Sequence, residues 1–104
     1  METVETGMAI QVLPQGVGDR ETCHIVSAAI DYILSEFPDA FVGPFETVIE
    51  GDYDHCMQVL AEVNRIVIAA GCAEVATYVK IFYAPEKGVR TTHEKIWPYH
   101  GGRV

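Results

Sequence analysis

Two carboxylates and a hydroxyl fall within one short stretch of the chain, residues 45–51, which read FETVIEG. The β-branched run at 47–49 favours a strand, and the glycine-proline pair at 43–44 indicates a turn before it. Glu50 comes at the end of this strand, directly before Gly51 and the predicted start of a helix. A carboxylate at such a strand end can accept hydrogen bonds from an amino group or balance a cation. Glu50 is therefore a candidate ligand-binding residue, with a solvated strand-end residue as the alternative.

Thr47 is the second candidate in this stretch. Its hydroxyl could bind a ligand, although threonine is common in strands for its β-propensity alone. Because side chains alternate along a strand, Thr47 and Glu50 are expected to face opposite sides of the sheet. They can share one pocket only if a bulge, or a bend at Gly51, intervenes.

Polar and aromatic residues of other segments add further candidates. Gln11 and Lys80 are polar residues in strands that otherwise look buried, and each needs a partner if it is buried. For Lys80 the expected partner is a glutamate of a neighbouring strand. Five aromatic rings could stack on a flat ligand, although most such rings serve as core or interface residues: Phe45, Tyr78, Phe82, Tyr83 and Trp97. The predicted ligand-binding set is Gln11, Phe45, Thr47, Glu50 and Tyr83.

The sequence offers no pattern of metal ligands or catalytic residues. Cys23 and His24, and likewise His55 and Cys56, are neighbours on predicted helices, where consecutive side chains point about 100° apart. Neither pair can therefore chelate a metal as a local unit. The chain has no CxxC, HxxxH or GxSxG motif and no phosphate-binding glycine loop. We predict no catalytic residue, no bound metal and no cofactor.

The composition is that of one globular domain with an acidic surface. The 104 residues carry a net charge of −8, and 49% of them are apolar. Because binding to phosphates needs clustered Lys and Arg, this charge disfavours nucleic acid and anionic membranes as partners. No apolar run approaches the roughly 18 residues of a transmembrane helix. Three cysteines without a CxxC pair favour a reducing, cytoplasmic setting.

The periodicity of apolar residues predicts the fold. Strand, helix, strand pair, helix and strand follow one another at residues 8–14, 19–37, 40–50, 52–70 and 74–85. A T-x-x-E pattern at Thr91 matches a capping box and predicts a last short helix through Trp97. The order βαββαβ predicts an α+β ferredoxin-like sandwich: a four-stranded antiparallel sheet with two helices on one face. The predicted domain covers residues 8–99, with flexible termini at 1–7 and 100–104.

Apolar stripes on the two long helices predict which side of each helix is buried. The first helix has such a stripe at Val26, Ala29, Ile30, Ile33, Leu34 and Phe37. The second has one at Cys56, Val59 or Leu60, Val63 and Val67. The last strand is apolar on both faces, with Val75, Val79, Ile81 and Tyr83 on one and Ala76, Tyr78 and Phe82 on the other. Since a large apolar patch is rarely left exposed, we predict that a second copy covers the sheet face, giving a homo-oligomer.

Several of these segments resemble one known family, the small thiamine-binding family of ferredoxin-like proteins related to YkoF. The similar segments are residues 12–14, 43–51, 78–81 and 94–99. The most specific of them is the T-x-x-E-G block formed by Thr47, Glu50 and Gly51, with the glycine-proline pair before it. The resemblance covers about residues 8–99.

The resemblance implies a non-enzymatic binding protein for thiamine or its hydroxymethylpyrimidine part, assembled through its sheets as a dimer of dimers. An aminopyrimidine offers an amino donor and ring nitrogens, which Glu50 and Thr47 could satisfy, and the thiazolium cation suits an acidic protein and aromatic faces. The alternative is a structural or regulatory homo-oligomeric module without a small-molecule ligand. An RNA-binding sheet of the same topology is disfavoured by the negative charge.

Overall fold

A computed structural model of the chain describes residues 2–100. Its helices and strands, numbered in chain order, are β1 Thr3–Val4, β2 Thr6–Gln15, α1 Asp19–Glu36, β3 Phe41–Val42, β4 Thr47–Gly51, α2 Tyr53–Ala69, β5 Glu74–Tyr83, β6 Val89–Arg90 and α3 Thr92–Ile96. A single 3-10 turn, Trp97–Tyr99, follows α3. The short C-terminal helix that the capping-box pattern predicts is therefore present.

The main sheet has four strands in the order β3-β4-β2-β5, and all neighbours are antiparallel. Both long helices pack on the face that carries Met8, Ile10 and Ile49. The predicted α+β ferredoxin-like sandwich is thus confirmed. The longest pairing runs between β2 and β5, from Thr6 opposite Tyr83 to Gln15 opposite Glu74.

The hydrophobic core lies between this sheet face and the two helices. The stripe predicted for α2 is confirmed, since Cys56, Val59, Val63 and Val67 are fully buried. On α1 the buried residues are Ile25, Ala29 and Ile33. The stripe predicted for α1 is therefore slightly misplaced, because the side facing the sheet is centred on a four-residue repeat that starts at Ile25.

The ends of the long helices follow from local chemistry. The Asp52 side chain caps α2 by accepting a hydrogen bond from the backbone N–H of His55 at 2.9 Å. Gly71, at φ +107°, ends α2 with the left-handed conformation that glycine tolerates. The N-cap of α1 is Gly18, which makes no side-chain capping bond.

The N-terminal residues form structure that the sequence does not predict. Thr3–Val4 pairs with Val89–Arg90 as a second, two-stranded sheet, and β2 already begins at Thr6. The prediction of a flexible lead at residues 1–7 is therefore wrong for residues 3–7, because pairing with a distant segment holds them. Of the predicted flexible C-terminal residues 100–104, only His100 lies within the described residues, and its backbone N–H donates to the Trp97 carbonyl at 3.4 Å.

Candidate ligand site on the open sheet face

The sheet face opposite α1 and α2, which we call the open face, carries a groove. At its centre the strand β2 contributes only small side chains, Gly7 and Ala9. Gly7 lies between Glu50 on β4 and Phe82 on β5, and Ala9 lies opposite Lys80 on β5. Longer side chains therefore rise on both sides of β2, and the groove follows this strand.

One part of the groove, the outer cleft, has a volume of about 680 Å³. Its side chains are those of Gln11, Phe45, Glu46, Tyr78 and Lys80, with Thr77 and Val79 beside them. Phe45 is 78% exposed and Tyr78 is 63% exposed, so two aromatic rings border the cleft and face solvent. The outer cleft thus combines an amide, two aromatic faces and a pair of opposite charges.

An ion pair crosses the groove. Lys80 Nζ lies 3.5 Å from Glu46 Oε2. The two residues belong to the β4 and β5 sides of the sheet, and Ala9 between them is small enough to let Lys80 reach across. The partner of Lys80 is a glutamate, as expected, but Glu46 directly precedes β4 and lies across β2, so it does not belong to the neighbouring strand. Because both side chains are partly exposed, the pair is weakly stabilising and can be exchanged for another partner.

A smaller inner recess, of about 170 Å³, lies between α1 and the sheet. It adjoins the outer cleft, since Gln11, Phe45 and Glu46 line both. Thr47 also lines this recess and is only 5% exposed. Within residues 2–100, the pairing of β2 with β4 ends at Thr47, so β2 is free on that side from Gln11 onward. This early end of the ladder is what opens the recess.

Glu50 borders a third cavity, the middle cleft, of about 250 Å³ between the sheet and α3. Its carboxylate Oε2 accepts a hydrogen bond from the backbone N–H of Thr92, the first residue of α3. Glu46 and Lys80 line the middle cleft as well as the outer one. Glu50 is therefore tied to the C-terminal helix and lies farther along the same groove.

The structure brings some of the predicted site residues together and separates others. Gln11 and Phe45 meet in the outer cleft, whereas Thr47 lies on the helix side of β4 and Glu50 on the open face. The expectation that Thr47 and Glu50 face opposite sides is confirmed, and no bulge brings them together. Tyr83 is at the far end of β5, where its ring packs against Tyr53 with centroids 4.4 Å apart.

Tyr78, Glu46 and Lys80 complete the outer cleft but are absent from the predicted ligand-binding set. Alternation along β5 was the available signal, because it places Tyr78 and Lys80 on one face. The register of β2 against β5 adds Gln11 opposite Tyr78. That register depends on pairing between distant segments and cannot be derived from either strand alone.

Residues 2–100 provide neither a cluster of metal ligands nor a membrane-spanning helix. Among these residues no three His, Cys, Asp or Glu side chains come close enough to hold a metal ion. No helix in the same range combines the length and apolar character that crossing a membrane requires.

Comparison with known proteins places the chain among relatives. The family model described as "Thiamine-binding protein" matches residues 8–100. The chain belongs to this thiamine-binding protein family. A relative from Clostridium perfringens, named a UPF0045 protein, is 35% identical over 92 residues, which are 88% of this chain and 94% of the relative.

Solved structures of similar proteins agree with this membership in the thiamine-binding protein family. A domain of unknown function from Bacillus cereus is 30% identical, with a TM-score of 0.84 over 98% of this chain and 96% of that one. A Thermotoga maritima protein, provisionally assigned to thiamine biosynthesis or salvage, is 26% identical, with a TM-score of 0.79 over 90% of this chain and 97% of that one. The family and the fold assigned above therefore rest on both sequence and structure.

Proposed function

We propose that this chain is a non-enzymatic, cytoplasmic binding protein for thiamine or its hydroxymethylpyrimidine part, and that the groove on the open face is its binding site. The observation that carries the proposal is the outer cleft, which Gln11 and Glu46 line together with the exposed rings of Phe45 and Tyr78. Membership of the thiamine-binding protein family supports a thiamine-related role. The name of the Thermotoga maritima neighbour points the same way.

The groups of the outer cleft complement such a ligand. An aminopyrimidine has an amino donor and ring-nitrogen acceptors, and a glutamine amide can both donate and accept. The Glu46 carboxylate can accept from the amino group or balance the thiazolium cation. The faces of Tyr78 and Phe45 attract a flat cation through their ring quadrupoles. We propose that the ligand cation takes the place of Lys80 beside Glu46.

Thr47 and Glu50 have secondary places in this proposal. Thr47 borders the inner recess, so its hydroxyl would meet a ligand group only if that group enters this recess. Glu50 uses Oε2 to hold α3, and its other oxygen receives no hydrogen bond from the described residues. That oxygen is the one Glu50 can offer to a ligand in the middle cleft. Tyr83 lies at the end of β5, outside the outer cleft, so we do not assign it a contact with a ligand bound there.

Calorimetric titration with thiamine and with hydroxymethylpyrimidine tests the proposal. We expect saturable binding that Glu46→Gln and Gln11→Ala each weaken about tenfold, the loss of one charge-assisted or well-placed hydrogen bond. Glu62→Gln is the matched control, because it also removes a glutamate from a surface ion pair, that with Arg65 at 3.3 Å on α2. The absence of binding by either ligand, or equal effects of Glu46→Gln and Glu62→Gln, would contradict the proposal.

A homo-oligomeric module without a ligand is the second candidate function, and a surface observation favours it. Phe82 is 65% exposed on the open face, and Tyr78 on the same strand is 63% exposed. Within residues 2–100, β5 pairs only with β2, so its outer edge also offers free backbone groups. We propose that a second copy covers the open face, giving a homodimer or homotetramer.

Sedimentation separates the two functions. Phe82→Glu should lower the mass in solution, because it places a charge in the contact between copies. If the module acts by assembly alone, Glu46→Gln leaves both mass and cellular function unchanged. If it acts by binding thiamine, Glu46→Gln keeps the mass and loses ligand affinity. A monomeric wild-type protein at micromolar concentration would contradict the assembly proposal.

A further inference from the structure

A fourth cavity, the basic cleft, opens beside the turn that joins β5 to β6. Its volume is about 650 Å³. It is lined by the side chains of Phe82, Tyr83, Lys87, Arg90 and Lys95 together with Ala84, Gly88 and Val89. None of these lining residues is acidic. The cleft therefore combines positive charge with aromatic surface at the end of the groove that lies away from Gln11.

The charge of the basic cleft is exceptional for this chain. The whole sequence has seven Lys and Arg residues against fifteen Asp and Glu, and three of the seven line this one cavity. Among residues 2–100, the ion pairs of Lys and Arg are those of Lys80 with Glu46 and Arg65 with Glu62. Lys87, Arg90 and Lys95 thus converge without a carboxylate partner in the described part of the chain. Such a cluster favours an anion with several oxygens.

The contacts within the basic cleft hold its cations near the aromatic surface. Lys95 Nζ lies 4.6 Å from the centroid of the Phe82 ring, a cation–π contact. Arg90 donates a hydrogen bond at 3.4 Å to the backbone carbonyl of Glu94, which uses one end of its guanidinium. Lys87 is exposed at the turn. The remaining donors of these three side chains are available to a ligand.

The basic cleft adjoins the groove on the open face. Phe82, Arg90 and Lys95 line both the basic cleft and the middle cleft, and the middle cleft in turn shares Glu46 and Lys80 with the outer cleft. Tyr78 and Phe82 are four residues apart on β5, which spans about 13 Å at roughly 3.3 Å per residue. One end of the groove therefore suits an aromatic cation, and the other end suits an anion about 13 Å away.

We propose that the preferred ligand is an aromatic cation that carries a phosphate ester, with its rings in the outer cleft and its phosphate in the basic cleft. The inference rests on the proposed function and specifies the ligand class of that same groove. Thiamine monophosphate and thiamine diphosphate have this chemistry. Only binding is involved, and no bond of the ligand is made or broken.

Calorimetry with four probes tests the inference: thiamine, thiamine monophosphate, thiamine diphosphate and inorganic pyrophosphate. For the wild-type protein we expect thiamine diphosphate to bind at least roughly tenfold more tightly than thiamine, since its phosphates gain several charge-assisted hydrogen bonds. The preference should shrink as salt is raised to about 0.5 M, because these charges are exposed to solvent. Equal affinities for thiamine and both phosphate esters would overturn the inference.

The variant Lys87→Gln/Arg90→Gln/Lys95→Gln should abolish the preference for the phosphate esters. Arg20→Gln/Arg65→Gln is the control, because it also removes positive charge but from the helices. Lys87→Gln alone, at an exposed turn, keeps the test valid if the triple variant fails to fold, and should lower diphosphate affinity severalfold with no effect on thiamine. An unchanged preference in Lys87→Gln and in a folded triple variant would overturn the inference.

The probes also separate this inference from the proposed function. If thiamine binds but its phosphate esters bind no more tightly than thiamine, the phosphate site is wrong. The proposal that thiamine binds in the groove is then unaffected. A different outcome is that Lys87→Gln weakens the binding of pyrophosphate, that thiamine does not bind, and that its esters bind no more tightly than pyrophosphate. The basic cleft is then an anion site. The assignment of the rings to the groove is then overturned.

Discussion

The Glu50 carboxylate accepts a hydrogen bond from the backbone N–H of Thr92, which ties the end of β4 to the beginning of α3. Half-buried Glu50 reaches this amide across 42 positions of sequence, so the bond closes a long loop. α3 in turn places Lys95 over the ring of Phe82. One side chain thereby links the groove to the C-terminal segment that bounds it.

Replacing Glu50 by alanine should therefore destabilise the protein and release α3. Loss of a carboxylate that satisfies a half-buried amide costs about 1–3 kcal/mol. Urea unfolding measures this loss, and hydrogen exchange at the Thr92 amide should accelerate. Glu86→Ala is the control, because Glu86 is exposed at the turn before β6. Equal unfolding midpoints for the two variants would show that the bond does not stabilise the fold.

Gly88 is required by two constraints at once. Its φ of +82° is rarely adopted by other residues, and a Cβ there would lie 2.6 Å from the Cβ of Thr3. Gly71 has a positive φ of +107° but nothing within 4 Å of such a Cβ. Gly88→Ala should therefore cost more stability than Gly71→Ala, which pays only the conformational strain of about 1–2 kcal/mol.

The excess for Gly88→Ala should come from displacement of β1. Truncation of residues 1–4 removes Thr3 and provides the measurement that separates the two constraints. In the truncated protein, thermal unfolding should show equal costs for Gly88→Ala and Gly71→Ala. A larger cost for Gly88→Ala that persists after truncation would refute the role of Thr3.

The sheet and long helices were predictable because their signals are local. The β-branched and aromatic residues of β5 favour a strand, and the repeat of Cys56, Val59, Val63 and Val67 in α2 reflects which side of that helix is buried. The alternation of side chains along a strand correctly placed Thr47 and Glu50 on opposite faces of β4. Periodicity fails for β1 and β6, which have two residues each and exist only through their pairing with one another.

The candidate site was only partly predictable for the same reason. Gln11 and Phe45 stood out by residue type, but their meeting with Tyr78 depends on strand register. Lys87 and Lys95 belong to a turn and to α3, and the sequence does not reveal that these segments fold back together. The site depends on which strands pair and on which distant segments come together. Both are properties of the tertiary structure, and the sequence does not show them.

Cys56 should make the protein sensitive to alkaline pH. Burial, with added repulsion from the charges of Asp52 and Glu5, raises the pKa of its thiol from the ordinary 9.0 to about 11. The folded state therefore holds the thiol proton more tightly than the unfolded state does. The resulting stabilisation is complete below pH 9 and is lost as the pH rises through about 11.

Urea unfolding midpoints between pH 8 and pH 11 measure this effect. Cys56→Ala should be less stable overall, since it removes buried volume, but its midpoint should fall less steeply above pH 9. Cys23→Ala is the control, because Cys23 is exposed on α1. If wild type and Cys56→Ala lose stability in parallel above pH 9, the raised pKa of Cys56 does not contribute to the pH dependence of the free energy of unfolding.

Lys80 should oppose the binding of a cationic ligand. Its ammonium group lies 3.5 Å from Glu46 Oε2, so it neutralises the carboxylate assigned to the thiazolium and adds a like charge to the outer cleft. Lys80→Gln should therefore tighten thiamine binding, by roughly three- to tenfold at low salt, the scale of one partly exposed charge interaction. Calorimetry at low and high salt measures the change, and Lys87→Gln is the control because Lys87 lies in the basic cleft and outside the outer one. Weaker thiamine binding by Lys80→Gln would mean that Lys80 itself contacts the ligand, and the Glu46 assignment would have to be replaced.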